Sequence, residues 1–176
     1  MEKEHLLKCY ELHINEDLKN FEIYRSQVKF FSGLIGIFIA ILGTGLAKLP
    51  TEYHFVLLVA SSFLVIVISE YSIKATSTGY QRWLETITVR AKFEYLLGFT
   101  KKLSSTDEGN DFKWKNETII PNRHIRDRND YKTSEEFVDE RKKMGSHLWV
   151  IRMFRIFQTL GIALILNAIY VAVKAV

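Results

Sequence analysis

Arg141 and His147, with five residues between them, are the pair in this chain best suited to catalysis. A guanidinium holds a phosphate and an imidazole titrates near neutral pH, so together they suit cleavage of a phosphodiester. On an uninterrupted helix the six-position step turns about 600°, leaving the two side chains about 120° apart. A solvated basic turn, Arg141-Lys142-Lys143, is the simpler use of the same residues. A second set lies downstream: Arg155, Thr159, Ala163, Asn167, Tyr170 and Lys174 follow one another at steps of four or three, with Gln158 at the edge. Polar groups at membrane depth face a bundle interior or a water-filled cavity. The stripe therefore either hydrogen-bonds to two neighbouring helices or lines a pore. A third set, Arg123, His124, Arg126 and Arg128 with Trp114 and Tyr131, is basic and aromatic, a composition that suits single-stranded nucleic acid. Asp127 and Asp130 interrupt it, so a solvated or lipid-facing loop is expected rather than direct nucleic-acid binding.

Other chemistry has no foothold. Cys9 is the one cysteine, which precludes an intrachain disulfide, and no Cys/His spacing suits zinc. No phosphate-binding glycine loop, Ser-His-Asp arrangement or paired metal carboxylates stands out. No cofactor or metal is expected.

The elements that must carry these residues are set by three uncharged apolar stretches, Phe30 to Ala47, Phe55 to Ser69 and Ile156 to Val173. A helix rises about 1.5 Å per residue and hydrocarbon is about 30 Å thick, so about 17–25 such residues span it. The first and third stretches have that length; Tyr53, His54 and Tyr71 extend the second into the interfaces. Of the 24 Lys and Arg, three spans leave only Lys48 and Lys174 on one side and the other 22 on the opposite side. The positive-inside rule then puts the amino terminus and the long central region in the cytoplasm, so the pI of about 9.1 reflects topology and anionic lipid.

Outside the spans the periodicity is helical. Leu7, Tyr10, Ile14, Leu18, Phe21, Tyr24 and Val28 form one face, and Tyr80, Trp83, Leu84, Ile87, Ala91 and Tyr95 another, which Arg90 and Glu94 blur. Thr133 and Glu136 open a third helix with a capping box, and no proline interrupts it to the chain end. The expected fold is all-α: an integral membrane protein of three long helices, two of about 45 residues and one of about 40. Each has a transmembrane part and a cytoplasmic extension. Its parts are an amphipathic cytoplasmic helix (1–29), a transmembrane hairpin (30–73), a cytoplasmic helical region (74–153) with a loop at 103–132, and a third transmembrane helix (154–176).

Two further features concern packing. Ser32, Gly36, Ala40 and Thr44 recur every four residues in the first span, a ridge that lets backbones approach closely, within the chain or between subunits. Glu70 precedes Lys74 by four residues, the favourable order for a helical ion pair.

This layout, with the Arg141…His147 pair, resembles small membrane effectors of bacterial antiviral systems. It is most similar to the transmembrane accessory proteins of type VI-B CRISPR systems, which use an RNA-guided, RNA-cleaving effector. Those accessories are grouped with HEPN proteins through such a pair. The two-span SLATT effectors are a looser match, because they lack a third span. The resemblance implies a homo-oligomeric inner-membrane pore that depolarises the cell, with lipid as its surroundings and a functional link to an RNA-guided ribonuclease. Two other functions fit the residues: a membrane-anchored HEPN-type ribonuclease using Arg141 and His147, and a non-enzymatic membrane anchor or subunit. One chain encloses no channel, since three helices about 10 Å wide leave none between them. A pore requires several copies.

Overall fold

The computed structural model describes residues 3–101 and 131–174. These are helical, with no strand among them: α1 (Lys3–Lys48), a 3-10 turn (Thr51–Tyr53), α2 (His54–Leu96), α3 (Ser134–Lys142) and α4 (Ser146–Lys174). The protein is all-α, and α1, α2 and α4 are long and apolar enough to cross a membrane. Only 11%, 28% and 17% of their most apolar windows is buried within the chain. Most of that oily surface thus faces outward, as suits a multi-pass membrane protein whose solvent there is lipid.

Each helix ends for a local reason. Pro50 disfavours helix at Leu49, and the His54 imidazole bonds the Leu49 carbonyl at 2.9 Å, occupying an acceptor the ended helix leaves open. After α2, Gly98 adopts φ +80, while Phe99 N–H bonds Glu94 O at 2.9 Å and Gly98 N–H bonds Tyr95 O at 3.0 Å. That is a Schellman closure, and its positive φ is why glycine stands there. At the start of α3, Thr133 Oγ1 accepts from Glu136 N–H at 3.1 Å and Glu136 Oε2 accepts from Lys132 N–H at 2.8 Å. The expected Thr133 cap is present, with the return bond from Glu136 going to the residue before the cap rather than to Thr133 itself.

The expected single helix from Thr133 to the chain end is not. It breaks after Lys142, with Lys143 as its cap and Gly145 at φ +75, and α4 starts afresh at Ser146. No proline is needed to stop a helix, because a glycine in the left-handed region does so. The nine-residue α3 and the 29-residue α4 therefore replace one helix of about 40.

The chain divides into two compact units. One comprises Met1–Phe21 and Gln81–Lys143, the other Glu22–Tyr80 and Met144–Val176.

In the first unit, α1 meets α2 and the turn after it through aromatic pairs: Tyr10 with Phe99 at 5.4 Å, His13 with Phe93 at 5.1 Å and Phe21 with Trp83 at 4.8 Å. Leu7 and Leu18, expected on the inward face, are exposed, and Asp17 is buried instead. Its partner is Arg90, which also lies 3.3 Å from Glu94 Oε1, while the Tyr10 hydroxyl donates to Glu94 at 3.4 Å. Arg90 and Glu94 thus interrupt the α2 stripe because they belong to its inward face, and Tyr95, assigned there by spacing, is exposed.

In the second unit, Phe31, Ile35, Val65, Ile73 and Phe154 form the core, one or two side chains from each of α1, α2 and α4. Lipid tails are as apolar as these side chains, so close packing and hydrogen bonds rather than water exclusion hold the spans together. The close approaches occur at glycines. A Cβ on Gly161 would stand 2.8 Å from Ile66 Cγ1 and 3.1 Å from the Ser62 carbonyl, and one on Gly45 would collide with Leu57 Cδ2.

Candidate pore-facing surface of α4

The second unit decides which way α4 faces. Its buried residues Phe154, Gln158, Gly161 and Ala168 recur at steps of three, four and seven, one side of a helix. At about 100° per residue, Thr159, Ala163, Asn167 and Tyr170 point about 140–220° away from Phe154, and Arg155 about 100° away. All five are exposed. The stripe turns its back on α1 and α2. Thr159 satisfies its hydroxyl on its own helix, donating to the Arg155 carbonyl at 3.0 Å, and Asn167 bonds no described residue. Among the described residues Thr159, Ala163, Asn167 and Tyr170 make no bond to the two neighbouring helices, and Arg155 does so only in company with Gln158.

Gln158 is the exception. Buried at the edge of the stripe, it donates from Nε2 to Glu70 Oε2 at 2.8 Å and accepts at Oε1 from Arg155 Nη1 at 2.9 Å. Arg155 Nη1 also reaches Glu70 Oε2 at 3.4 Å. Glu70 is therefore drawn across to α4, where spacing had paired it with Lys74 on its own helix. The bridging glutamine stands three residues after Arg155 in the sequence, but nothing along the chain shows that α2 passes beside it.

The small-residue ridge also faces away from the other helices. Gly36, Ala40 and Thr44 are exposed, and a Cβ on Gly33, Gly36 or Gly43 would meet nothing within 4 Å. Ser32 is partly buried and donates to the Val28 carbonyl at 2.8 Å. The contacts made inside the chain by α1 use the opposite side, Phe31 and Ile35.

Arg141 and His147 are separated by the helix break. Arg141 closes α3 in the first unit, its guanidinium 5.6 Å over the Phe137 ring. His147 opens α4 in the second unit and is 1% exposed. The 120° relation of an uninterrupted helix does not apply. His147 stacks on Tyr80 at 4.2 Å, with Nδ1 3.3 Å from the Tyr24 hydroxyl and Nε2 3.4 Å from Ser77 Oγ. Burial, with the neighbouring Tyr80 adding to it, pushes Tyr24 up to about 12. Tyr24 thus keeps its proton, and the Tyr24 and Ser77 hydroxyls each share a hydrogen bond with one imidazole nitrogen. One imidazole ties the first turn of α4 to both α1 and α2. Arg123, Arg126 and Arg128 lie outside the described residues.

Burial lowers the His147 pKa from 6.5 to about 4. The unfolded chain takes up a proton in this range that the folded one excludes, so the stability this site confers is full above pH 6.5 and declines as pH falls toward 4. His147→Gln keeps an amide hydrogen-bonder but does not titrate. Melting temperature measured across that interval should fall less steeply in the variant than in the wild type. Parallel curves would show that His147 does not carry the dependence.

No protein-family model, curated protein or solved structure matches this chain.

Proposed function

We propose that this chain is the subunit of a homo-oligomeric membrane pore in which the Arg155–Tyr170 face of α4 lines the lumen. One observation carries this reading: Thr159, Asn167 and Tyr170 lie within a span yet, among the described residues, point away from the α1 and α2 segments of their own unit. Hydrocarbon leaves an amide such as Asn167 unsatisfied, whereas water in a lumen satisfies it. The exposed ridge of Gly36, Ala40 and Thr44 supports the same assembly, since it offers a second copy the close approach that it does not offer α2 or α4. Six or more α4 helices in a ring leave a hole of at least about 10 Å before side chains fill it.

The pore would work in a bacterial inner membrane, with amino terminus and central region in the cytoplasm, as an antiviral effector linked to an RNA-guided ribonuclease. Opening it discharges a store of about 2.3 kcal/mol per elementary charge per 100 mV. Such an effector acts by depolarisation and draws on no nucleotide.

Asn167→Leu tests the assignment. Purified in detergent, wild-type protein should have the mass of an assembly, and a strictly monomeric particle would overturn the proposal. The variant should assemble at the same mass but conduct at least about tenfold less, because leucines at mid-span dewet the lumen. Unchanged conductance would remove Asn167 from the lumen.

A further inference from the structure

A pore wall built from α4 has an unusual charge balance. The helix contains no Asp or Glu, and its three basic residues, Arg152, Arg155 and Lys174, all fall on or beside the exposed stripe. Arg152 lies over the Trp149 ring at 5.1 Å and Lys174 over the Tyr170 ring at 4.8 Å. Ring faces hold these cations in place without neutralising them. Among the described residues a single carboxylate reaches this surface, and it comes from another helix. Glu70 of α2 is held beside Arg155 by the buried Gln158 amide, which bonds Glu70 at 2.8 Å and Arg155 at 2.9 Å. The Glu70 and Arg155 side chains remain 42% and 60% exposed, so both are open to whatever fills the space beside α4.

We infer that the pore passes small anions in preference to cations, with Arg152, Arg155 and Lys174 as its attracting groups and Glu70 as a partial counterweight set by Gln158. This rests on the pore reading above. Among the described residues each subunit presents three positive charges and one negative along this face, and a ring repeats that excess once per copy. Low-dielectric walls focus such a field, and rings of Arg and Lys select anions. The Glu70–Gln158–Arg155 contacts stand at one end of the span and Lys174 at the other, with only neutral side chains between them. Selectivity is therefore set at the two mouths, and Asn167 contributes water contact without charge.

The test is the reversal potential of the full-length chain in planar bilayers under a tenfold potassium chloride gradient. The wild type should reverse on the chloride side. Glu70→Gln removes the counterweight and should raise the chloride-to-potassium permeability ratio by at least about twofold. Arg155→Gln should lower that ratio. A role confined to holding α2 against α4 would move both variants the same way, and that result overturns the charge assignment. So does a wild-type pore that prefers potassium or does not discriminate, although the pore itself would then stand. No conductance from the wild type would overturn the pore reading and this inference with it. Arg152 is exposed and makes a cation–ring contact with Trp149, so Arg152→Gln changes charge with little effect on folding. It should also lower the ratio, and no change there would count against the assignment.

Discussion

Arg90→Met is expected to destabilise the protein by about 3–5 kcal/mol, because it leaves two buried carboxylates without their cation. The Asp17 and Glu94 side chains are 6% and 5% exposed, and Arg90 is ion-paired with both. Asp17 Oδ1 is buried with no hydrogen-bond partner, so the guanidinium is the main compensation for that charge. Methionine keeps much of the length and packing of arginine and removes the charge, which separates electrostatics from cavity formation. Thermal or denaturant unfolding in detergent would measure the loss. Adding Asp17→Asn and Glu94→Gln to Arg90→Met should recover most of it, since the residual cost comes from unpaired negative charge. A single variant as stable as the wild type, or a triple variant no better than the single, would show that the cluster is not held this way.

Gly161→Leu is expected to separate α4 from α2. Even a Cβ there stands 3.1 Å from the Ser62 carbonyl, a backbone atom that cannot swing aside, and 2.8 Å from Ile66 Cγ1, which can. Overfilling a packed contact costs about 1–3 kcal/mol, and more when backbone is the obstacle. Between spans this matters doubly, because dispersion from close contact is itself the main attraction. The unfolding midpoint should drop, with Gly161→Ala intermediate. Gly36→Leu provides the contrast: a Cβ there meets nothing within 4 Å, so the fold of the single chain should be unaffected. If the ridge is where copies meet, Gly36→Leu should instead reduce the mass of the detergent-solubilised particle. Equal loss of chain stability from Gly36→Leu and Gly161→Leu would contradict the packing described.

Several features were legible along the chain because they depend only on local chemistry. Uncharged length sets the three spans, Pro50 sets the turn between the first two, and Thr133 with Glu136 sets the start of α3. The stop at Gly145 was not read from the chain, because a glycine ends a helix only where it takes the left-handed conformation that it adopts here. What spacing alone did not decide is which side of each helix turns inward. Hydrophobic periodicity points to a core when the surroundings are water; inside a bilayer the surroundings are as oily as the core, so apolar side chains fit either side. Gly36 and Gly161 are the same residue in similar apolar company, yet one is open and the other meets α2. Nor does periodicity admit a buried charge: it places Leu7 and Leu18 on the inward face, leaves Arg90 and Glu94 as interruptions of the α2 stripe and gives Asp17 no place, whereas the pairing of α1 with α2 brings the three charges together. His147 found its place for the same reason: its partners Tyr24, Ser77 and Tyr80 are 123, 70 and 67 positions away, and only the packed helices make a bond between residues so distant in sequence.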